Sequence, residues 1–142
     1  MKLVVDASVA IKWVIEEEGT RAALELLDHP LLAPDLLLAE CLNVLWRKRK
    51  VNELTAEEGA AAVTALAAAR VDLLPIKPLM PEILALAVHL GHPAYDCAYL
   101  ATAMRLGVPL VTADARFVAR CRRYAEPDVA RAVHLLGDSK SL

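Results

Sequence analysis

No stretch of this chain approaches the ~18 consecutive apolar residues that a membrane-crossing helix needs. At the N-terminus, Met1-Lys2-Leu3-Val4-Val5 reaches Asp6 before the core of a signal peptide can form. Neither a membrane partner nor an export signal is therefore expected, and the expected location is the cytoplasm. Cysteine is scarce: Cys41, Cys97 and Cys121 are odd in number and lack the spacing of zinc ligands or a redox CxxC, so they read as reduced, semi-buried thiols. His29, His89, His92 and His134 have no HxH or HExxH spacing and read as surface or loop residues without a role. There is no GxGxxG, no GxxxxGK followed by Ser or Thr, and no serine in a nucleophile elbow. Dinucleotide folds, nucleotide-hydrolysing loops and serine-hydrolase chemistry lack their motifs here. Repeats, linkers and low-complexity segments are absent as well.

What is present is a chain of 142 residues, 57% apolar and 24% charged, with the charges interspersed. That length suits one folding unit, since halves would bury too little surface, and a single domain over 1–142 is expected. The net charge of −2 gives no global case for nucleic-acid binding. Distribution matters more than the total. Ten arginines and six lysines include the run Arg47-Lys48-Arg49-Lys50 and a second group at Arg116, Arg120, Arg122 and Arg123. Either group suits phosphate contacts, and either equally suits helix C-termini, where positive charge complements the macrodipole.

The hydrophobic pattern alternates strand with helix. Residues 2–5 read as a short buried strand that passes at Asp6 into a helix ending before Glu16-Glu17-Glu18-Gly19. Thr20 is a cap for a helix to about 28, residues 31–33 form a strand, and Pro34 opens a helix over about 35–49. Thr55 and Glu58 make a capping box for an alanine-rich helix ending near 70. Then follow a strand over 71–76, a helix with Pro81 in its first turn that ends near 89–91, and a helix over 94–106 stopped by Gly107. A strand over 108–112, a helix over 114–123 and an edge strand over 132–136 complete the series. Short apolar strands separated by helices imply a parallel sheet covered on both faces. The expected fold is a three-layer α/β/α domain with four or five strands.

Four carboxylates, Asp6, Glu40, Asp96 and Asp114, each lie in an otherwise apolar or small-residue stretch with no basic neighbour. Buried carboxylates need a partner, and a divalent cation is a natural one. Asp6 and Asp114 fall at strand ends, where open parallel sheets place their ligand sites. Each aspartate also has a plain reading as a helix cap, but Glu40, inside a helix whose neighbours are apolar apart from Asn43, has none. An all-oxygen set suits Mg²⁺, which takes few carboxylates, keeps waters and completes its shell with phosphate. The chemistry such a site supports is metal-assisted hydrolysis of a phosphodiester. Ser8 and Thr112 are small hydroxyls near the two strand ends, suited either to hold a carboxylate or to cap a helix. Trp13, Leu37, Leu42, Leu45 and Trp46 are expected in the core or an interface, with burial rather than base stacking for Trp46.

Four motifs then stand in register: Val4-Val5-Asp6-Ala7-Ser8-Val9-Ala10-Ile11-Lys12-Trp13, Ala33-Pro34-Asp35-Leu36-Leu37-Leu38-Ala39-Glu40 with Asn43 to Arg47, Tyr95-Asp96-Cys97-Ala98-Tyr99-Leu100-Ala101, and Val111-Thr112-Ala113-Asp114 with Phe117. Together they resemble the PIN-domain family, specifically the VapC-type ribonuclease toxins, over about residues 2–123. The resemblance implies a small parallel-sheet α/β fold and an endoribonuclease dependent on Mg²⁺ or Mn²⁺. It assigns catalysis to Asp6, Glu40, Asp96 and Asp114, with Asp6, Asp96 and Asp114 as metal ligands. It also implies an RNA substrate, a cognate antitoxin that blocks the site, and a homodimer. The chain departs from some family members at Arg116, where they carry a further acid two residues after the match to Asp114. Arg116 is thereby a candidate for an RNA phosphate contact. Two other readings compete: a catalytically inactive PIN-fold module that binds RNA or protein, and a phosphotransferase with Asp6 as nucleophile, which the lack of a DxD around Asp6 weakens.

Overall fold

Leu3, Val4 and Val5 are apolar at every position and fully buried, the signature of a central strand covered on both faces. The computed structural model describes residues 1–138; the last four residues of the expected 1–142 domain lie outside them. The described strands are β1 (Leu3–Val5), β2 (Leu31–Pro34), β3 (Val71–Leu74), β4 (Leu110–Thr112) and β5 (Val133–Leu135). They form one parallel sheet of five strands in the order β3-β2-β1-β4-β5. The helices are α1 (Ala7–Val14), α2 (Thr20–Glu25), α3 (Leu36–Lys50), α4 (Ala56–Ala68), α5 (Met80–Leu90), α6 (Ala94–Leu106), α7 (Ala115–Tyr124) and α8 (Pro127–Arg131).

Alternation along the strands builds the layers. Leu3, Val5, Leu31 and Val111 pack with Val9 of α1 and with Ala23 and Leu26 around α2. Val4 and Leu110 point the other way, into the larger cluster that holds Tyr99 and Leu100 of α6 and Phe117 of α7. A three-layer α/β/α domain results, with helices on both faces of the sheet. The three cysteines are free and buried in this core, and burial pushes the Cys41 and Cys121 thiols up to about 12 and Cys97 up to about 11.

Local chemistry sets the element ends. Thr55 Oγ1 accepts the Glu58 N–H and Glu58 Oε1 accepts the Thr55 N–H, a complete capping box at the start of α4. Gly107 ends α6 at φ +65°, a left-handed conformation that side-chain-bearing residues adopt at a cost. Several boundaries differ from the sequence expectation. Pro34 does not open α3 but closes β2: it pairs in register with Leu74, and the Asp35 N–H still donates to Leu74 O. Gly19, not Thr20, precedes α2; the Thr20 hydroxyl accepts the Glu17 N–H and donates to Ile15 O. The strand expected over 71–76 stops at Leu74, and a 3-10 turn over Lys77–Leu79 leads into α5. The five residues of α8 are too few to show a helical period in the sequence.

Candidate active site

Chain order reverses between β1 and β4. From β1 the chain moves outward to β2 and β3, then returns to lay β4 on the opposite side of β1. That reversal opens a crevice beyond the carboxyl ends of the two strands. Asp6 follows β1 directly, Asp114 stands two residues beyond β4, and the pairing Val5↔Val111 brings the two strand ends side by side.

Asp6 is buried, at 4% exposure, and forms the N-cap of α1, where its Oδ1 accepts the Val9 N–H. Ser8 Oγ also donates to Oδ1, at 2.5 Å, and Thr112 Oγ1 donates to Oδ2. Each hydroxyl then accepts a backbone N–H from the segment after β4: Ala113 donates to Ser8 Oγ at 2.8 Å and Asp114 to Thr112 Oγ1 at 3.1 Å. Ser8 and Thr112 thus tie the first acid to the turn that carries the last one. Burial pushes the Asp6 carboxyl up to about 6, opposed by the bonds from Ser8, Thr112 and Val9 and aided by the charge of Asp96.

The other acids share one pattern. Glu40 lies in the second turn of α3, and its Oε1 accepts from the buried Tyr99 hydroxyl of α6 at 2.5 Å. Partial burial raises its carboxyl above the usual range, with Asp96 adding to the rise and Tyr99 opposing it. Asp96 is in the first turn of α6, with Oδ2 2.5 Å from His92 Nε2, and the His92 ring packs 4.7 Å from that of Phe117. Asp114 caps α7, its Oδ1 accepting the N–H groups of Arg116 and Phe117. In each of the three, one oxygen is fixed by the protein. Among the described residues the second oxygen, Oε2 of Glu40, Oδ1 of Asp96 and Oδ2 of Asp114, accepts no hydrogen bond.

All four acids, with Ser8, open onto a single cavity of about 670 Å³ that also takes in Asn43, Arg47, Tyr95 and Tyr99. Among the described residues no three acids, histidines or cysteines converge closely enough to hold a metal ion by themselves. The donor set nevertheless fits a hard divalent cation: carboxylate oxygens only, three of them oriented by a bond to the neighbouring oxygen, in an open basin with room for waters and a phosphate. Thr112 sits behind Asp6 rather than on the cavity wall. Arg116 is exposed beside Asp114 and is not among the lining residues.

The basic groups divide in a way their sequence does not show. Lys48 pairs with Glu17 and Glu53, Arg49 donates to Leu54 O, and Lys50 lies over the Trp46 ring. Only Arg47 of that run lines the cavity. Arg120 caps α5 by donating to Leu90 O and Gly91 O, a structural task. Trp46, expected buried, is 56% exposed, and Leu42 is exposed too, because the buried face of α3 is the one bearing Leu37, Cys41 and Leu45. His92 and Tyr99 are the residues that sequence reasoning missed. His92 stands four before Asp96, a usable spacing, but Pro93 between them hides it; the Tyr99 to Glu40 contact spans 59 positions and leaves no local trace.

The pattern of one known family, the PIN domain, matches residues 3–122. Among solved structures, the chain is similar to PAE2754 from Pyrobaculum aerophilum at 25% identity and a TM-score of 0.67, over 93% of this chain and 98% of that one. It shares its fold with VapC20 from Mycobacterium tuberculosis, described as a sarcin-ricin loop cleaving toxin, at 16% identity and a TM-score of 0.63, over 82% and 93% of the two chains. No curated protein matches the sequence. With the family pattern covering most of its length and the parallel sheet in place, this chain belongs to the PIN domain family.

Proposed function

We propose that this protein is a metal-dependent endoribonuclease that acts in the cytoplasm as the VapC-type toxin of a toxin-antitoxin pair. One observation supports this reading above others: four acids from segments far apart in sequence open onto one cavity at the reversal point of the sheet, and three of them keep an oxygen free. Asp6, Asp96 and Asp114 would hold the cation, Mg²⁺ with Mn²⁺ as a substitute. When bound, such an ion supplies Lewis-acid activation of water and neutralises charge building on the phosphate. Glu40 takes the proton of the attacking water. Its raised carboxyl brings its proton affinity nearer the working pH, and Tyr99 fixes its direction. Ser8 and Thr112 lock Asp6, so the acid after β1 and the acid after β4 keep their separation through turnover. Arg47 on the wall and Arg116 beside Asp114 supply the positive charge that an RNA backbone requires in so acidic a basin.

The neighbour VapC20 is described as cleaving the sarcin-ricin loop, which supports structured RNA as the first substrate to try. We further propose a cognate antitoxin and a second copy of this chain as partners for the exposed apolar residues of α3 (Leu38, Leu42, Trp46) and α5 (Leu84, Val88). The test is cleavage of structured RNA, resolved on a gel, with Mn²⁺ or Mg²⁺ and with chelator. We expect cleavage that stops with chelator and falls at least ~100-fold in Asp6→Asn and Asp96→Asn. Cleavage that persists in chelator or in those variants contradicts the proposal. Tight RNA binding without cleavage in any divalent ion favours the inactive binding module instead.

A further inference from the structure

Helix α7 concentrates charge of one sign: four of its ten residues are arginine and none is acidic, in a chain whose net charge is −2. Phe117, Val118 and Cys121 turn into the core, which leaves Ala115, Arg116, Ala119, Arg122 and Arg123 on the solvent side. Arg120 is engaged by the carbonyls that end α5. The guanidinium groups of Arg116, Arg122 and Arg123 form no ion pair and no hydrogen bond among the described residues. Helix-dipole complementarity accounts for positive charge in the last turn, but in the first turn the dipole opposes Arg116. Free arginines spaced by alanines suit an outside polyanion that lies close against the helix. Two features narrow the choice of polyanion. No large apolar side chain stands between these arginines to form the dry centre of a protein interface. The one exposed aromatic residue of α7, Tyr124, has its ring occupied by the guanidinium groups of Arg120 at 5.0 Å and Arg123 at 5.3 Å, so it offers no platform for an unstacked base.

We propose that the solvent face of α7 is a second RNA contact, outside the cavity, and that it holds the phosphate backbone of a double-helical stem. Double-helical RNA is recognised largely by its shape, its phosphates and its 2′-hydroxyls, which suits arginines that have no stacking ring beside them. Asp114 caps the start of α7 and opens onto the cavity, whereas Arg122 and Arg123 stand about 13 Å further along the helix axis. Arg116 is the near end of this face, and Arg122 and Arg123 are its far end. A stem seated there lies beside the reacting phosphate rather than over it, and adds affinity that does not depend on base sequence. The inference rests on the nuclease reading above.

The test is fluorescence anisotropy with a labelled RNA duplex of about 16 base pairs, in Ca²⁺ and with the probe checked intact on a gel. Wild-type protein binds the duplex, and Arg122→Gln with Arg123→Gln weakens binding at least ~10-fold and lowers the slope of log affinity against log salt by about 2. Arg70→Gln, which removes an exposed charge between α4 and β3, leaves affinity and slope at the wild-type values. A second duplex of unrelated sequence binds within about 3-fold of the first. A wild type that does not bind the duplex, or a double variant that binds it with wild-type affinity and slope, overturns the inference. Tighter binding of a labelled glutamate-rich peptide than of the duplex, lost in the same double variant, overturns it in favour of an acidic protein partner. Each of these results leaves the nuclease reading standing if wild type cleaves RNA; a wild type that neither binds the duplex nor cleaves RNA overturns both.

Discussion

Asp6 is the one fully buried acid of the four that open onto the cavity; Glu40, Asp96 and Asp114 are half-buried. The Asp6 carboxyl, ordinarily near 3.8, is pushed up to about 6 mainly by burial. In the unfolded chain this group loses its proton first, so between about pH 4 and pH 6 the folded state holds more protons and stability falls as pH rises. The difference corresponds to about 3 kcal/mol of destabilisation at neutral pH. Asp6→Asn removes it, and we expect the metal-free variant to unfold in urea at pH 8 with about 1–3 kcal/mol more stability than wild type, an advantage that vanishes near pH 4. A variant less stable than wild type at pH 8 would contradict the burial cost. Loss of activity coupled to gain of stability is how a functional residue differs from a merely structural cap. His92 makes the complementary case. Its bond to Asp96 Oδ2 leaves Oδ1 as the free oxygen, so His92→Ala is expected to weaken Mn²⁺ binding about 10- to 100-fold by calorimetry while the protein remains folded. Mn²⁺ affinity equal to wild type would remove His92 from the site. Neither property can be read locally: His92 is separated from its partner by a proline, and the burial of Asp6 depends on a strand that arrives more than a hundred residues later.

At the scale of elements, the site is built by two strand-to-helix junctions and two helices. The junctions were legible. Short apolar runs ending in aspartate, followed by helical patterns, placed Asp6 after β1 and Asp114 after β4, and both fall there. The helical contributions were less so. Glu40 stood out because no cap explains an acid in the second turn of α3, but its partner Tyr99 belongs to a helix that reaches it only through tertiary packing. The basic run at the end of α3 reads as one patch in sequence and resolves into one cavity residue and three engaged elsewhere, since a helix turns 100° per residue. The join between the junctions rests on Ser8 and Thr112. Thr112→Val keeps the shape of a fully buried residue but removes the donor to Asp6 and the acceptor for the Asp114 N–H. We expect it to lower stability by about 1–3 kcal/mol in urea unfolding. An unchanged midpoint would mean that the two junctions are not joined through this hydroxyl.

For the molecule as a whole, topology explains why acids so scattered in sequence meet. A parallel sheet whose order reverses between β1 and β4 has one crevice at that point, and α3 and α6 wall it. The sheet class and strand count were within reach of pattern reasoning because the central strands are short buried runs, apolar throughout in β1 and apolar up to Thr112 in β4. Surface partners were not, because exposed Leu84, Val88, Leu42 and Trp46 obey the same helical spacing as core residues. For the proposed homodimer, Leu84→Glu with Val88→Glu is expected to shift the sedimentation coefficient from dimer to monomer; a wild-type protein already monomeric at ~100 μM would remove that partner. The proposed joining of three distant aspartates into one cation site is tested most directly by Mn²⁺ titration followed by electron paramagnetic resonance, on wild type and on Asp6→Asn, Asp96→Asn and Asp114→Asn. Wild type should bind Mn²⁺, and each single substitution should weaken binding at least ~10-fold. Equal Mn²⁺ binding by wild type and all three variants would contradict it.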